Sequence, residues 1–346
     1  MTGTAELEPR IAAWLCHVLG VADVRVSGLD RIPGGASRET WRLVAQVPGA
    51  DGKPEARRMI LRRDPGASLI DTDQQVEFAA FSAFQNSAVP VPSLVGIEED
   101  GRWLDRRFFV MNEITDCQAD GRLFDTPDYV GLKSIIGTRK WQILGTIAAT
   151  DPVANGLASA LKMPVGAGIW RDQIDYWEGV IDEDALSPQP IVRAAIRWLR
   201  RNPPRLPGRV GIVHGDFRTG NFLFDAAGTI RAVLDWEMCH LGDPLEDLAW
   251  AFNPLWGGQS FENPGRLLPR AEAIRLWEQA SGMVVDPVAL RWWEVFAGVK
   301  GVAIWQSAAR AFADGANRDP IQVTAGWFCT DPQDRFIMDR MGHAAL

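Results

Sequence analysis

The nine residues Val213-His214-Gly215-Asp216-Phe217-Arg218-Thr219-Gly220-Asn221, followed by Leu234-Asp235-Trp236-Glu237, constrain this chain more than any other feature in it. Val210 to Val213 and Phe222-Leu223-Phe224 read as short apolar strands on either side of a loop, and a Gly228 turn leads to a third strand at Ile230 to Leu234. Asp216 and Asn221 are five apart inside that loop, and Asp235 comes fourteen after Asn221, at the end of the next hairpin. Converging strand ends can aim all three side chains at one point.

Phosphoryl transfer needs a carboxylate to orient the nucleophilic hydroxyl, hard oxygen ligands for Mg²⁺ and a cation over the transferring phosphate. Asp216, Asn221, Asp235 and Arg218 supply those types. In this reading Asp216 accepts or orients the hydroxyl proton, Asn221 and Asp235 hold the metal, and Arg218 neutralises charge developing on the phosphoryl oxygens. A plainer reading puts His214 in a core, lets Asp216 cap a turn and leaves Asp235 and Glu237 as surface carboxylates. The joint spacing and the hairpin context favour the chemical reading, with His214 bracing the loop.

Around this block the chain divides. Its 346 residues exceed the usual span of one core, so two lobes are expected. Ile11, Trp14, Leu15, Val18 and Leu19 mark an amphipathic helix that stops at Gly20. Residues 39 to 47 and 57 to 62 read as strands joined by the turn Pro48 to Gly52, with Pro33-Gly34-Gly35-Ala36-Ser37 just ahead. Thr72 and Gln75 open a helix through Phe84; a hairpin turns at Asp100-Gly101, and Phe108 to Met111 is an apolar strand. A first lobe over 1–110, a hinge at 111–115 and a second, mostly helical lobe over 116–346 follow from this pattern. A long apolar helix from about Ala289 to Phe312 reads as scaffold.

Composition excludes some functions. A net charge of −8 and a pI near 5.2 argue against a nucleic-acid partner, and the cluster Arg57, Arg58, Arg62 and Arg63 fits a solvated strand edge. Cys16, Cys117, Cys239 and Cys329 form no CxxC pair, so neither zinc nor a disulfide framework is signalled and a reducing cytoplasm fits best. The sequence carries neither a targeting pattern nor a membrane span, and the partner expected is a small hydroxylated molecule.

The order HxDxxxxN, hairpin, Asp resembles the catalytic and metal-binding loops of protein kinases. The form His214-Gly215-Asp216 with Asp235-Trp236-Glu237 and Gly242-Asp243-Pro244 through Asp247 resembles, more narrowly, the aminoglycoside phosphotransferase and choline kinase superfamily. That resemblance implies an α+β, two-lobed, protein-kinase-like fold: a small antiparallel-sheet lobe with one helix, a larger mainly helical lobe, and ATP with Mg²⁺ between them. It also implies that Asp247 braces the catalytic loop, while Asp243 and Glu246 read as helix caps around Pro244.

In the smaller lobe, backbone amides near Gly35 and Ser37 could form a nest for the ATP phosphates, although a glycine pair before a strand is also an ordinary turn. Arg62 and Glu77 stand where the family usually has lysine and glutamate. Ala80, Phe81 and Phe84 share the helix face of Glu77, and a carboxylate on an apolar stripe wants a cation. The departure at Arg62 leaves the phosphate clamp open, because arginine is not a neutral exchange for lysine. Phe109 to Ile114 resembles the strand that reads the adenine edge, which places Met111 against the base and Glu113 beside the nucleotide; a plain core strand fits the same residues.

The acceptor is less determined. Trp170, Trp177 and Trp198 line a pocket or, on the better reading, pack a core. The acidic run Asp172, Asp175, Glu178, Asp182, Glu183 and Asp184 suits an aminoglycoside or other antibiotic, whereas HGDFRTGN with LDWE and GDPLEDLAW resembles the kinase-like domain found fused to certain acyl-CoA dehydrogenases and so implies a hydroxyacyl thioester. Relatives commonly carry histidine where Thr150 stands, which weakens any substrate role for that helix. The rivals of other classes are a nucleotide-binding pseudoenzyme and a metal-dependent hydrolase; the scatter of His17, His240 and His343 counts against the latter.

Overall fold

A computed structural model describes residues 4–32, 38–49, 52–64, 74–257 and 260–342, without the side chains of Thr4, Ala5 and Ile321. Gly35, Ser37 and Thr72, named above, lie outside the described residues. The chain forms two compact units, one of Met1–Asn86 with Val91–Thr115 and one of Ser87–Pro90 with Asp116–Leu346.

The first unit is an antiparallel sheet with a helix on each face. Its strands are β1 (Arg25–Ile32), β2 (Glu39–Pro48), β3 (Pro54–Arg63), β4 (Leu94–Glu98) and β5 (Phe108–Asn112), arranged β1-β2-β3-β5-β4. Alternation along a strand sends successive side chains to opposite faces. Accordingly Phe108 and Val110 join the cluster built on Trp14, Leu15 and Ile11 of α1 (Thr4–Leu19), with the Trp14 and Phe108 rings edge to face at 4.8 Å. Phe109 packs on the other face against Phe78 and Phe81 of α2 (Gln74–Phe84), at 6.0 and 6.1 Å between ring centroids. Phe108 and Phe109 are fully buried, worth about 2 kcal/mol each in apolar transfer. Glu77 lies on the same α2 stripe and is 0% exposed, as its position among Ala80, Phe81 and Phe84 requires.

The second unit is mainly helical: α3 (Lys133–Ala149), α4 (Gly168–Asp184), α5 (Pro190–Arg201), α6 (Leu245–Ala251), α7 (Arg270–Ser281), α8 (Pro287–Ala313), α9 (Pro320–Phe328) and α10 (Thr330–Met341). α8 is buried along most of its length, its few polar side chains such as Glu294 and Lys300 included, and it runs through the middle against α4, α5, α6, α9 and α10. Two small sheets carry the loop of interest. The strands β6 (Cys117–Gln118), β8 (Phe222–Asp225) and β9 (Ile230–Val233) form one, and β7 (Gly211–Val213) pairs antiparallel with β10 (His240–Gly242) to form the other. The three strands expected around the loop are present, but β7 takes β10 as its partner instead of the hairpin. Backbone oxygens tie Ser87–Pro90 to this unit: the Val233 amide donates to Pro90 O at 2.8 Å, and the Arg139 side chain donates Nη2 to Ala88 O at 2.7 Å. Among the described residues no helix is long and apolar enough to cross a membrane.

Candidate active site

β7 delivers the chain into the loop 214–221, and β8 takes it away. Gly215 sits at φ +86°, and a Cβ there would stand 2.3 Å from the Met238 carbonyl oxygen, so only glycine fits. Asp247, on α6, accepts the backbone N–H of His214 at 2.6 Å and of Gly215 at 2.9 Å. The imidazole completes the brace: the Asp216 amide donates to His214 Nδ1 at 3.1 Å, which leaves the proton on Nε2, 2.9 Å from Leu234 O. Burial pushes the His214 pKa down to about 4, so the ring is a neutral spacer between the loop and the hairpin.

Three donors pin the Asp216 carboxylate. Trp250 Nε1 donates to Oδ1 at 2.7 Å, Asn221 Nδ2 donates to Oδ2 at 2.6 Å, and Arg218 Nε lies 3.2 and 3.3 Å from the two oxygens. Burial nevertheless raises the pKa of Asp216, with Arg218 opposing the rise and Asp235 adding to it. The Arg218 guanidinium also lies over the Trp256 ring, 4.9 Å from its centroid. Asp216, Arg218 and Asn221 are therefore brought together as the sequence spacing requires. Asp235 follows in a left-handed conformation, φ 66° and ψ 52°, which aspartate tolerates better than most residues. The Leu234 amide donates to Asn221 O at 2.8 Å and so ties the hairpin end to the loop.

These residues fit a hard cation. Asn221 commits Nδ2 to Asp216, at both Oδ2 and the backbone oxygen 2.9 Å away, so its amide oxygen is the atom that could meet a cation, and the Asp235 carboxylate could supply a second oxygen. Among the described residues no group of three or more His, Cys, Asp or Glu side chains is placed to hold a metal ion.

A buried charge network that the sequence did not reveal supports the loop from below. Lys300 of α8 donates Nζ to Gly215 O at 2.6 Å and lies 3.1 Å from Glu246 Oε1, while His240 Nε2 bonds Glu246 Oε2 at 3.0 Å. Burial pushes Glu246 up, but His240 and Lys300 outweigh it and hold the carboxyl well below its usual range. Glu246 is thus an internal ion-pair member and not a helix cap, and α8 contributes to the site as well as to the scaffold. Asp243 does cap α6, taking Leu245 N at 3.0 Å on one oxygen and Trp293 Nε1 at 2.9 Å on the other.

In the first unit Glu77 meets Arg62 Nη1 at 3.4 Å, and also Arg38 Nε at 3.2 Å. Met111 is a buried residue of β5 facing Ile60 and Leu94 across the sheet. Glu113 bonds Arg42 at 2.5 Å and Arg58 at 2.7 Å, and its amide donates to Arg58 O at 3.0 Å, so its side chain and N–H both tie the end of β5 to the interior strands β2 and β3. Trp170 and Trp177 are core residues, 7% and 3% exposed.

Fold and loop together define a phosphotransferase of the kinase-like class. Residues 28–283 match the model of the phosphotransferase enzyme family, and the chain belongs to that family. Mouse acyl-CoA dehydrogenase family member 10 is 32% identical over 202 residues, 56% of this chain and 18% of that one. Human acyl-CoA dehydrogenase family member 11 is 27% identical over 227 residues, 62% of this chain and 28% of that one. The chain thus spans less than a third of the length of either relative. A Ralstonia eutropha structure assigned provisionally to the aminoglycoside phosphotransferases superposes with a TM-score of 0.76 at 21% identity, covering 98% of this chain and 99% of the other. That likeness establishes the two-lobed α+β kinase-like fold.

Proposed function

We propose that this phosphotransferase moves the γ-phosphoryl group of ATP to the hydroxyl of a small molecule, and that the acceptor is a hydroxyacyl thioester or a similar hydroxylated catabolite. One observation carries the reading: a half-buried carboxylate, Asp216, its side chain 16% exposed, is held by Trp250, Asn221 and Arg218 at the head of a loop whose next side chains suit Mg²⁺. Asp216 receives the proton as the acceptor oxygen bonds to phosphorus and the bond to the ADP oxygen breaks. Its raised pKa strengthens it as a base, at the cost of a smaller ionised fraction in acid. Arg218 adds positive charge next to the reacting oxygens. Asn221 and Asp235 would hold Mg²⁺, which supplies neutralisation of the phosphoryl oxygens when bound. In the first unit Arg62, Glu77 and Met111 would serve the nucleotide.

The acceptor assignment draws on the relatives, whose names are those of acyl-CoA dehydrogenases, and on the fate of the acidic run. Asp175 pairs with Arg200 at 2.6 Å, Glu178 with Arg200 at 2.5 Å and Arg193 at 3.5 Å, Asp182 with Arg193, and Asp172 with Lys162 at 3.2 Å. Carboxylates neutralised by their own chain are poor hosts for a polycationic antibiotic.

The test is Mg²⁺-dependent ATP consumption by wild type and Asp216→Ala against hydroxyacyl-CoA esters, aminoglycosides, macrolides and amino alcohols. Turnover of hydroxyacyl-CoA alone, lost in the variant, is the expected result. Turnover of an antibiotic instead would reassign the acceptor, and ATP binding with no turnover anywhere would make the chain a nucleotide-binding pseudoenzyme.

A further inference from the structure

Lys140 of α3 is 0% exposed, and among the described residues no carboxylate pairs with it. Its Nζ faces the Trp141 and Phe222 rings, 4.4 and 6.0 Å from their centroids, and donates to Thr219 Oγ1 at 3.5 Å. A buried amine with no counterion costs stability in either form. Charged, it has lost its hydration; neutral, it has given up a proton that the unfolded chain would keep, since burial lowers its pKa to about 7. The aromatic faces return only part of that loss. Methionine would fill the same space without the cost, so packing does not account for the lysine.

The contact is closed in by backbone. Gly265, at φ +67°, lies over it: a Cβ there would stand 2.7 Å from Lys140 Nζ and 2.9 Å from Thr219 Oγ1. Gly121 meets the other branch of Thr219, where a Cβ would stand 2.4 Å from Cγ2. Asp125 ties both stretches to α3, bonding Arg266 at 2.5 Å and Lys133 at 2.6 Å. Thr219 is thus seated by its methyl on one glycine and by its hydroxyl on the other and on Lys140. It adjoins the reacting groups directly: its carbonyl accepts Arg218 Nη1 at 3.3 Å, and Arg218 O accepts the Asn221 amide at 3.1 Å. Any turn of Thr219 carries with it the guanidinium that meets Asp216 and the neighbouring Asn221.

We infer that Lys140 is a positioning residue for the loop 214–221: it holds the Thr219 hydroxyl from α3 and thereby fixes the stretch from Arg218 to Asn221, at a net cost in stability. The loop gains an anchor that none of its own residues provides. The effect on turnover rests on the phosphotransferase reading above, whereas the effect on the loop does not.

The experiment compares hydrogen–deuterium exchange of the peptide spanning 214–222, urea denaturation and steady-state kinetics for the full chain as wild type, Lys140→Met, Thr219→Val, the double variant and Thr219→Ser. Lys140→Met is expected to unfold at higher urea than wild type and yet to exchange about tenfold faster in the loop peptide. Thr219→Val keeps the shape and removes the oxygen, so it should speed exchange equally; the double variant should be no faster than either, and Thr219→Ser should stay within about twofold of wild type. In turnover, kcat of Lys140→Met and Thr219→Val should fall about tenfold, with the KM for ATP within about twofold. A lysine of purely structural role would instead move stability and loop protection in the same direction. A lower urea midpoint for Lys140→Met, unchanged or slower loop exchange, additive effects in the double variant, or faster exchange with undiminished kcat would each overturn the inference. The expected exchange pattern in a chain that turns over no acceptor would uphold the anchoring of the loop and overturn the phosphotransferase reading alone.

Discussion

Lys300 and Gly215 are 85 residues apart in sequence, yet the lysine Nζ donates to the glycine carbonyl oxygen at 2.6 Å with both groups buried. A cation at the centre of α8 thereby fixes the residue just before Asp216. Removing it strands two acceptors at once, Gly215 O and Glu246.

Lys300→Met is therefore expected to lower the unfolding free energy by about 3 kcal/mol, the range for breaking one side of a buried pair. Adding Glu246→Gln should return part of that loss, since the stranded charge is then gone. Urea denaturation of the single and double variants checks both statements.

The pinning of Asp216 sets a pH dependence. Burial raises its pKa, and the Trp250 N–H opposes that rise by favouring the anion. Trp250→Phe removes the donor, so the pKa climbs further and the protonated, inactive form persists to higher pH. Its kcat should fall about tenfold at mildly acidic pH and much less under alkaline conditions, with the acid limb displaced upward. Asp216→Asn should lose about a thousandfold at every pH.

Asn221→Ala removes one expected Mg²⁺ ligand and one donor to Asp216. The Mg²⁺ concentration for half-maximal rate should rise about tenfold, with a further drop in kcat at saturating Mg²⁺. Titration of activity with Mg²⁺ separates the two effects.

Lys140 of α3 is fully buried. Its ammonium lies 4.4 Å from the Trp141 ring centroid and 3.5 Å from Thr219 Oγ1, and burial lowers its pKa to about 7. The folded pKa lies below the unfolded one, so the unfolded state binds more protons between them. The penalty is full below about pH 7 and fades as pH rises toward the ordinary lysine value. Lys140→Met should stabilise the protein at neutral pH by about 2 kcal/mol and less at pH ~9.5, as read by urea midpoints at each pH.

How much of this was legible in the sequence depended on whether the signal was local. The loop 214–221, the flanking strands, the hairpin turn at Gly228 and the α2 face carrying Glu77 could be read because period and turn chemistry lie within a few residues. β1 was missed: its Gly28 has φ +66° and the register to β2 shifts between Ser27 and Asp30, so the alternation that marks a strand is broken. Trp250, Lys300 and Arg38 were missed as partners because each meets its target from a distant element, and no spacing rule encodes that. Glu246 read as a cap because a proline and an aspartate precede it, whereas its fate was decided by Lys300 and His240.

α6 is only seven residues long, yet Asp247, Glu246 and Trp250 all leave it for the loop, reaching backbone amides, the Lys300 bridge and the Asp216 carboxylate in turn. So short a helix has little stability of its own and exists because it is docked. The loop is thus held in place by tertiary contacts from α6 and α8. Catalytic competence and global structure of that unit should therefore disappear at one denaturant midpoint, with no inactive but folded species between them.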